Sequence, residues 1–256
     1  MDKLYDAGGE YKRIFEIDFI RGLCILLVML DHLMYKFAVC YVEVPFFMAM
    51  RGLGYKYWYW QVRTDVRNVV LVLFFVVSGL SSSFSKNNVV RGLKMLGFAM
   101  ALTAVTYIAS YFTGAVGINI DFGFIHVFAC SILIYGLISK WKNIWILLLA
   151  GVCIFLSWYI PTLEISTLST LFLPIGIKPI GYQYGDYASL FPWLGYFFIG
   201  GVLGKIFYPQ RKSLLKPVKP AITKPLLHMG RNSLWYYFGE MAILLPIFYI
   251  IAIVFA

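Results

Sequence analysis

Charged residues are scarce in this sequence. Of its 256 residues, 13% are charged and 61% are hydrophobic, whereas soluble domains carry about 25% charged residues. Several apolar runs approach or exceed the ~20 residues that a helix needs to span a bilayer. These runs are continuous rather than alternating, which argues against a transmembrane β-barrel. The composition therefore predicts an all-α fold, a polytopic membrane helix bundle that forms a single domain over residues 1–256.

Cysteine is also rare, and its spacing excludes the usual metal and redox motifs. Cys24, Cys40, Cys130 and Cys153 show no C-x-x-C or other ligand spacing. Three of them lie inside apolar runs, so we expect all four to pack as small buried hydrophobes and expect no metal. A cleavable leader is not apparent, because the first apolar run ends in Asp-His and not in small residues. That run is expected to remain as a helix.

Acidic residues are outnumbered, with 12 Asp and Glu against 22 Lys and Arg and a net charge of +10. Because the basic excess follows the loops, we interpret it as membrane topology and contact with lipid headgroups, and expect no nucleic-acid partner. The basic loop from Tyr208 to Gly230 has two interpretations. It faces anionic lipid, or it meets a polyanionic cytosolic donor such as a coenzyme A.

Seven spans are predicted, roughly over 17–41, 67–85, 91–113, 120–139, 142–160, 187–208 and 232–256. Between the first two, a cluster of aromatic residues around Lys56 suits the headgroup interface and a short interfacial or re-entrant helix. Most Lys and Arg residues fall on one side if the N-terminus is inside, which predicts an inner N-terminus and an outer C-terminus. The outer loop 161–186 is long enough to form a lid or part of an acceptor site.

The first span carries ionisable residues near both of its ends. Asp18 and Arg21 share a helix face near the inner end, where they form a structural ion pair or hold an anionic group. Asp31 and His32 lie near the outer end, and ionisable groups inside a membrane are costly and usually functional. Because consecutive helical residues point about 100° apart, Asp31 need not pair with His32, and another carboxylate could orient the imidazole.

Polar residues in later spans extend this pattern. At about 1.5 Å per residue, His126 falls in the same outer layer as His32, with Asp121 close by. A helix–helix hydrogen bond is the simpler role for such histidines, and a general base or proton relay is the functional one. The serines at the end of the second span allow close helix approach or leave room for an acyl-pantetheine arm. Glu240 has no evident partner, and is either protonated in a helix contact or part of the active core.

Several short blocks occur in a familiar order along nearly the whole chain. They are EIDFIRG at 16–22, Asp31-His32, VSGLSSSFS at 77–85, RGLK at 91–94, FGFIH at 122–126 followed by Cys130-Ser131, FPWLGY at 191–196 and GRNSL at 230–234. Each is common alone. Together they resemble the heparan-α-glucosaminide N-acetyltransferase catalytic-domain family in its small bacterial form, within the acyltransferase-3-like transmembrane acyltransferases.

This resemblance implies transfer of an acyl group, usually acetyl, from cytosolic acyl-coenzyme A to a hydroxyl or amine of a glycan beyond the bacterial cytoplasmic membrane. His32 would act as the base or accept the acyl group, with Asp31 and His126 in support. The other implied residues lie near the donor (Asp18, Arg21, Ser78, Gly79, Ser82 and Arg91) or near the acceptor (Arg67, Asp121 and Trp193). The implied partners are acetyl-coenzyme A as co-substrate, the glycan, membrane lipids and a possible second copy of the chain.

Two positions depart from the family pattern. No histidine occurs between His32 and His126, so the loop histidine of the lysosomal animal member has no counterpart. The last span has Glu240-Met-Ala where related bacterial sequences often have His-Gln-Pro.

Two other functions remain open. A proton-coupled transporter or flippase predicts broken half-helices in two matching halves, which the sequence lacks. A non-enzymatic membrane scaffold would use its polar residues for helix association alone.

Overall fold

The computed structural model describes residues 13–40, 43–114, 117–165, 167–183, 185–215 and 220–255. Within these ranges the chain is helical and forms no β-strand. The α-helices are α1 (Phe15–Ala38), α2 (Pro45–Trp58), α3 (Gln61–Ser83), α4 (Asn88–Thr113), α5 (Phe124–Ile138), α6 (Asn143–Tyr159), α7 (Trp193–Phe207), α8 (Pro220–Arg231) and α9 (Ser233–Phe255). Two 3₁₀ turns, Ile160–Leu163 and Thr170–Ile175, precede α7.

Several of these helices are long and apolar enough to cross a membrane. Among the described residues, three segments meet this criterion: Gln61–Ser83, Asn88–Phe112 and Asn143–Leu163. The apolar helices Phe124–Ile138 and Trp193–Phe207 are shorter. The all-helical membrane fold expected from composition is thus found in the described residues, while the seven-span count and the orientation of the termini stay predictions.

Two predicted span boundaries are wrong, and one predicted loop contains a helix. The second span begins at Gln61 and not at 67, and its added first turn carries Arg63, whose charge is paired with Asp31 inside the protein. The sixth begins at Trp193 and not at 187, because Pro192 disfavours helical geometry in the residue before it. The predicted inner loop 208–230 contains α8, an amphipathic helix whose Leu227 is fully buried.

The chain divides into two compact units, and the predicted single domain remains a prediction. Unit 1 consists of Met1–Phe74 and Arg211–Ala256. In it, α1 packs against α2, α8 and α9. The contact between α1 and α8 is backbone to backbone. A Cβ on Gly22 would lie 1.9 Å from the carbonyl oxygen of Leu226, and one on Gly230 would lie 1.8 Å from that of Asp18. Only glycine allows this approach.

The start of α1 is capped from a distant part of the chain. The Ser213 hydroxyl accepts a hydrogen bond from the Phe15 amide at 2.7 Å and donates one to the Arg13 carbonyl at 3.4 Å. Glu16 accepts from the Leu214 amide at 2.7 Å. The first amides of a helix need such partners, so residues 213–214 fix the end of α1 in unit 1.

Unit 2 comprises Phe75–Gln210, which holds the end of α3 together with α4 to α7. Its core contains fully buried aromatic residues, among them Phe75, Tyr135, Phe197 and Phe198. Here too two helices meet through glycine. A Cβ on Gly79 of α3 would lie 1.9 Å from the Phe197 carbonyl oxygen of α7. Small residues allow membrane helices to pack this closely.

Candidate functional site

The imidazole of His32 in unit 1 is held by Glu240. Its Nδ1 lies 3.1 and 3.2 Å from the two carboxylate oxygens of Glu240, which α9 supplies. The Glu240 side chain is only 3% exposed and that of His32 25% exposed. Tyr237, one helical turn before Glu240, packs edge-on against the imidazole with ring centroids 5.8 Å apart. His32 is therefore fixed by α9 on one side and open on another.

This arrangement has a definite chemical consequence for the two ring nitrogens. When its carboxylate is ionised, Glu240 can only accept hydrogen bonds, and Nδ1 of a neutral imidazole is then the donor that carries the proton. The lone pair then lies on Nε2, which makes no hydrogen bond within the described part of the chain. An imidazole anchored through one nitrogen and open at the other is suited to act as a general base or a nucleophile.

Asp31, the neighbour of His32, faces the other way. Its carboxylate accepts hydrogen bonds from Arg63 Nε at 2.6 Å and Nη2 at 2.5 Å, and from the Tyr57 hydroxyl at 3.2 Å. The Arg63 guanidinium also lies 3.8 Å from the centroid of the Trp58 ring. As the 100° offset led us to expect, Asp31 does not pair with His32. It ties α1 to the start of α3, and its catalytic role stays a prediction.

Asp18 and Arg21 form an ion pair, as one of the two interpretations predicted. The Arg21 Nη1 atom lies 3.7 Å from Asp18, and Arg13 Nε lies 3.4 Å from the same carboxylate. Arg21 is buried and Asp18 almost completely so. Because this guanidinium already lies beside a carboxylate, it is less available to a phosphate; its donor role remains untested. Arg67, assigned to the acceptor side, is exposed on α3.

The remaining donor-side residues lie in unit 2. Ser82 donates its hydroxyl proton to the Ser78 carbonyl at 2.9 Å and accepts from Arg91 Nη1 at 3.2 Å. The structure therefore brings Ser82 and Arg91 together. Gly79 is explained by the close packing of α3 on α7 described above, which leaves no space over its Cα for a ligand.

Most of the basic residues of unit 2 belong to one of its ends. The cationic end, where α3, α5 and α7 finish and α4 and α6 begin, carries six basic residues: Lys86, Arg91, Lys94, Lys140, Lys142 and Lys205. It is held together by Lys205, which donates to the Ser139 carbonyl at 2.6 Å, and by Asn88, which donates to the Ser82 carbonyl at 2.9 Å. All three carboxylates in the sequence of this unit, Asp121, Glu164 and Asp186, belong to the opposite end.

At that opposite end, His126 is fully hydrogen-bonded. Its Nδ1 accepts from the Gly123 amide at 3.2 Å. Its Nε2 lies 3.2 Å from the Thr103 hydroxyl, which donates to the Ile120 carbonyl and can therefore accept from Nε2. The side chain is 2% exposed. These contacts fit the simpler role, a hydrogen bond between helices, while a supporting role in catalysis stays a prediction.

The other acceptor-side residues of unit 2 have separate surroundings. Asp121 accepts hydrogen bonds from the hydroxyls of Tyr107 and Tyr182. Burial, and then the hydrogen bond to Asp121, raise the pKa of Tyr182, which lies in the loop before α7. Trp193 packs against Phe75, with ring centroids 5.3 Å apart. Within the described residues, no three His, Cys, Asp or Glu side chains are grouped as metal ligands would be.

Comparison with known families decides the class of this protein. The family model described as heparan-alpha-glucosaminide N-acetyltransferase, catalytic, matches residues 13–241. The chain belongs to this family. Family membership implies an N-acetyltransferase, and the apolar helices make it an integral membrane protein. The comparison with curated proteins and the comparison with solved structures each found no match.

The range matched by the N-acetyltransferase family model contains both His32 and Glu240. The sequence led us to His32 but not to its partner. Glu240 had no evident partner because counting residues from the helix ends placed it at ~12 Å and His32 at ~24 Å from the inner surface. Arg63 was counted only as an outer cation. The sequence indicates the role of Arg63 only weakly, because it shows nothing more than a single arginine after the aromatic cluster around Lys56.

Proposed function

We propose that this chain transfers an acetyl group from cytosolic acetyl-coenzyme A to an amine or hydroxyl of an extracytoplasmic glycan or cell-envelope sugar, within the bacterial cytoplasmic membrane. The observation that supports this reaction best is the geometry of His32. The imidazole lies in an apolar helix and is anchored through Nδ1, which in the neutral ring leaves Nε2 as the unprotonated nitrogen. Acetyl transfer needs such a base within reach of the acceptor.

Nε2 can serve the reaction in two ways. As a general base, it takes the proton of the acceptor amine or hydroxyl while that atom attacks the thioester carbonyl. The new C–N or C–O bond forms, the C–S bond breaks, and coenzyme A leaves as its thiolate. As a nucleophile, Nε2 itself attacks the thioester, the C–S bond breaks and coenzyme A leaves as its thiolate; the acceptor then attacks the acetyl group and the bond to Nε2 breaks. Incubation with labelled acetyl-coenzyme A in the absence of acceptor, followed by rapid denaturation near neutral pH, distinguishes the two routes, because only the second leaves labelled acetyl on the protein.

The cationic end of unit 2 supports a polyanionic donor. Coenzyme A carries several phosphate charges, and this end presents six basic residues with no carboxylate among them. Arg91 is hydrogen-bonded to Ser82 through Nη1, and a guanidinium is the side chain best suited to bind a phosphate through paired N–H donors. The positive-inside distribution predicts that this end faces the cytosol, where acetyl-coenzyme A would be met.

The acceptor is proposed to approach from the opposite side of the membrane. There the carboxylate of Asp121 is held between two tyrosine hydroxyls, and Trp193 supplies an aromatic surface. A carboxylate beside tyrosines can accept hydrogen bonds from an amine or from sugar hydroxyls. Arg67 belongs to the same proposed acceptor side.

One assay tests the reaction and the residue together. The full chain, purified in detergent, is incubated with radiolabelled acetyl-coenzyme A and candidate aminosugars. We expect transfer by the wild type, a loss of about 10²- to 10⁴-fold in His32→Ala, and unchanged transfer in His228→Ala. His228 is the matched control, because it is exposed and bonded to Tyr236.

The outcomes of this assay distinguish an error in the proposed enzyme class from an error in the assigned catalytic residue. Full activity in His32→Ala removes His32 from the reaction and leaves the acetyltransferase class standing. If the wild type neither transfers nor hydrolyses acetyl-coenzyme A, and proteoliposomes containing it transport the labelled sugar, the chain is a transporter and the proposed reaction is wrong.

A further inference from the structure

Glu240 is the one acidic residue of α9, and its carboxylate is directed at His32. We propose that Glu240 is a positioning residue, which holds His32 in the tautomer with the proton on Nδ1 and thereby keeps Nε2 free to accept a proton or an acetyl group. The effect on catalysis rests on the proposed function; the effect on the tautomer does not.

The geometry of the pair is specific. Both carboxylate oxygens lie within 3.2 Å of one ring nitrogen, so the Nδ1 proton is directed between two acceptors. Glu240 is almost completely buried, and a buried carboxylate without a partner would be strongly unfavourable. Tyr237 closes the same side of the ring. These contacts restrict the rotation of the imidazole as well as its protonation pattern.

Glu240, and not Asp31, is the carboxylate that can do this. Both oxygens of Asp31 accept hydrogen bonds from Arg63, and Asp31 faces α2 and α3. A further charged group that interacts electrostatically with the Glu240 carboxylate is Lys36, one turn after His32 on α1. Glu240 therefore meets two groups of α1, and it contacts His32 directly.

The arrangement has a consequence for the reaction. When Nε2 takes the proton of the acceptor, the positive charge that develops on the imidazole lies 3.1 Å from a carboxylate oxygen. Without Glu240, the proton of the neutral ring can move to Nε2, the site favoured in free imidazole side chains. In that tautomer Nε2 can no longer act as a base or nucleophile, although His32 is still present. A carboxylate that orients a catalytic histidine acts in this way in hydrolases.

The first test is kinetic and uses the full chain with Glu240→Leu, which removes the acceptor, and Glu240→Gln, which keeps an oxygen acceptor without the charge. We expect Glu240→Leu to lower kcat by at least about tenfold, within the 10²–10⁴-fold that a positioned base supplies. The KM for acetyl-coenzyme A should change less than about threefold, because Glu240 is not among the basic residues proposed to bind the donor. Glu240→Gln should retain more activity than Glu240→Leu. Glu43→Gln, at an exposed position of unit 1, is the matched control and should behave as the wild type.

The second test is spectroscopic and needs no substrate. Nitrogen-15 NMR of histidine-labelled protein reports which ring nitrogen carries the proton, and the chain contains 3 His, so that His32→Gln and His228→Gln assign the signals. We expect the His32 signal to show protonated Nδ1 and bare Nε2 in the wild type and in Glu240→Gln. In Glu240→Leu it should show the reverse, while the His126 signal stays unchanged.

The results of the two tests distinguish an error in the proposed function from an error in the role proposed for Glu240. If the wild type lacks transferase activity but Glu240→Leu reverses the tautomer of His32, the proposed function is wrong and the role of Glu240 stands. If the wild type transfers acetyl and His32→Ala abolishes transfer, yet Glu240→Leu keeps both its kcat and the wild-type tautomer, Glu240 does not position His32. Loss of kcat with an unchanged tautomer also overturns the proposal.

Discussion

The ion pair between Asp31 and Arg63 predicts a pattern of stabilities that simple packing would not give. Arg63 is 7% exposed and Asp31 16% exposed. Asp31→Leu leaves a buried guanidinium without its carboxylate and the Tyr57 hydroxyl without its acceptor. Removing one partner of a buried pair costs about 3–5 kcal/mol in the free energy of unfolding. Arg63→Leu should cost less, because the more exposed Asp31 keeps its hydrogen bond from Tyr57. The double variant, with no charge left, should be destabilised less than Asp31→Leu alone.

These differences can be measured as a double-mutant cycle by unfolding the full chain in mixed micelles with increasing SDS and following its helical circular dichroism. The control is Asp65→Ala on α3, the helix that carries Arg63. Asp65 forms only an exposed hydrogen bond with Gln61. It should change the free energy of unfolding by less than about 0.5 kcal/mol. If the double variant loses the sum of the two single losses, the pair is not coupled and the reasoning is refuted.

Three further predictions concern unit 2. Gly79→Ala should destabilise the chain by about 1–3 kcal/mol, because its Cβ would meet a carbonyl of α7; Gly97→Ala, with nothing within 4 Å, should be neutral or stabilising in the same SDS titration. The raised pKa of Tyr182 means that the folded protein binds this phenolic proton more tightly than the unfolded chain. The resulting stability is fully present below the ordinary tyrosine pKa of about 10 and is lost as pH rises above it. Tyr182→Phe should therefore have a lower free energy of unfolding than the wild type at neutral pH, and this difference should become smaller above pH ~10. A difference that does not depend on pH would contradict the prediction. Arg91→Gln should raise the KM for acetyl-coenzyme A roughly tenfold with little change in kcat, as expected for one lost charge-assisted hydrogen bond, and an unchanged KM would remove Arg91 from the donor site.

Hydropathy predicted much of the fold because burial in lipid imposes a simple requirement on composition. Continuous apolar runs predicted α4 and α6 to within a few residues. The same reasoning missed the start of α3, because hydropathy counts Arg63 as exposed charge and cannot see that Asp31 neutralises it. It also missed α8, which is amphipathic and too polar to register as a span.

The sequence identified the residues of the candidate site that lie on α1 but not the residues that they contact. An ionisable pair inside an apolar helix is a strong local signal, so Asp31 and His32 were found from sequence. Their partners were not, because each is a side chain from another helix and the depth estimate assumed straight helices with level ends. That assumption separated Glu240 from His32 by about 12 Å, whereas their polar atoms lie 3.1 Å apart. Pairing across helices depends on tilt and packing, which residue counting does not contain.

The division of the chain also has a consequence for its biogenesis. Unit 2 is continuous in sequence and is complete once residue 210 has been synthesised, whereas unit 1 needs both ends of the chain. During synthesis, which proceeds from the N-terminus, the first turn of α1 lacks its capping partners until Ser213 and Leu214 have been added. His32 meets Glu240 later still. A chain truncated before α9 would thus keep all three histidines and the whole of unit 2, but its His32 would lack the carboxylate of Glu240 that orients it.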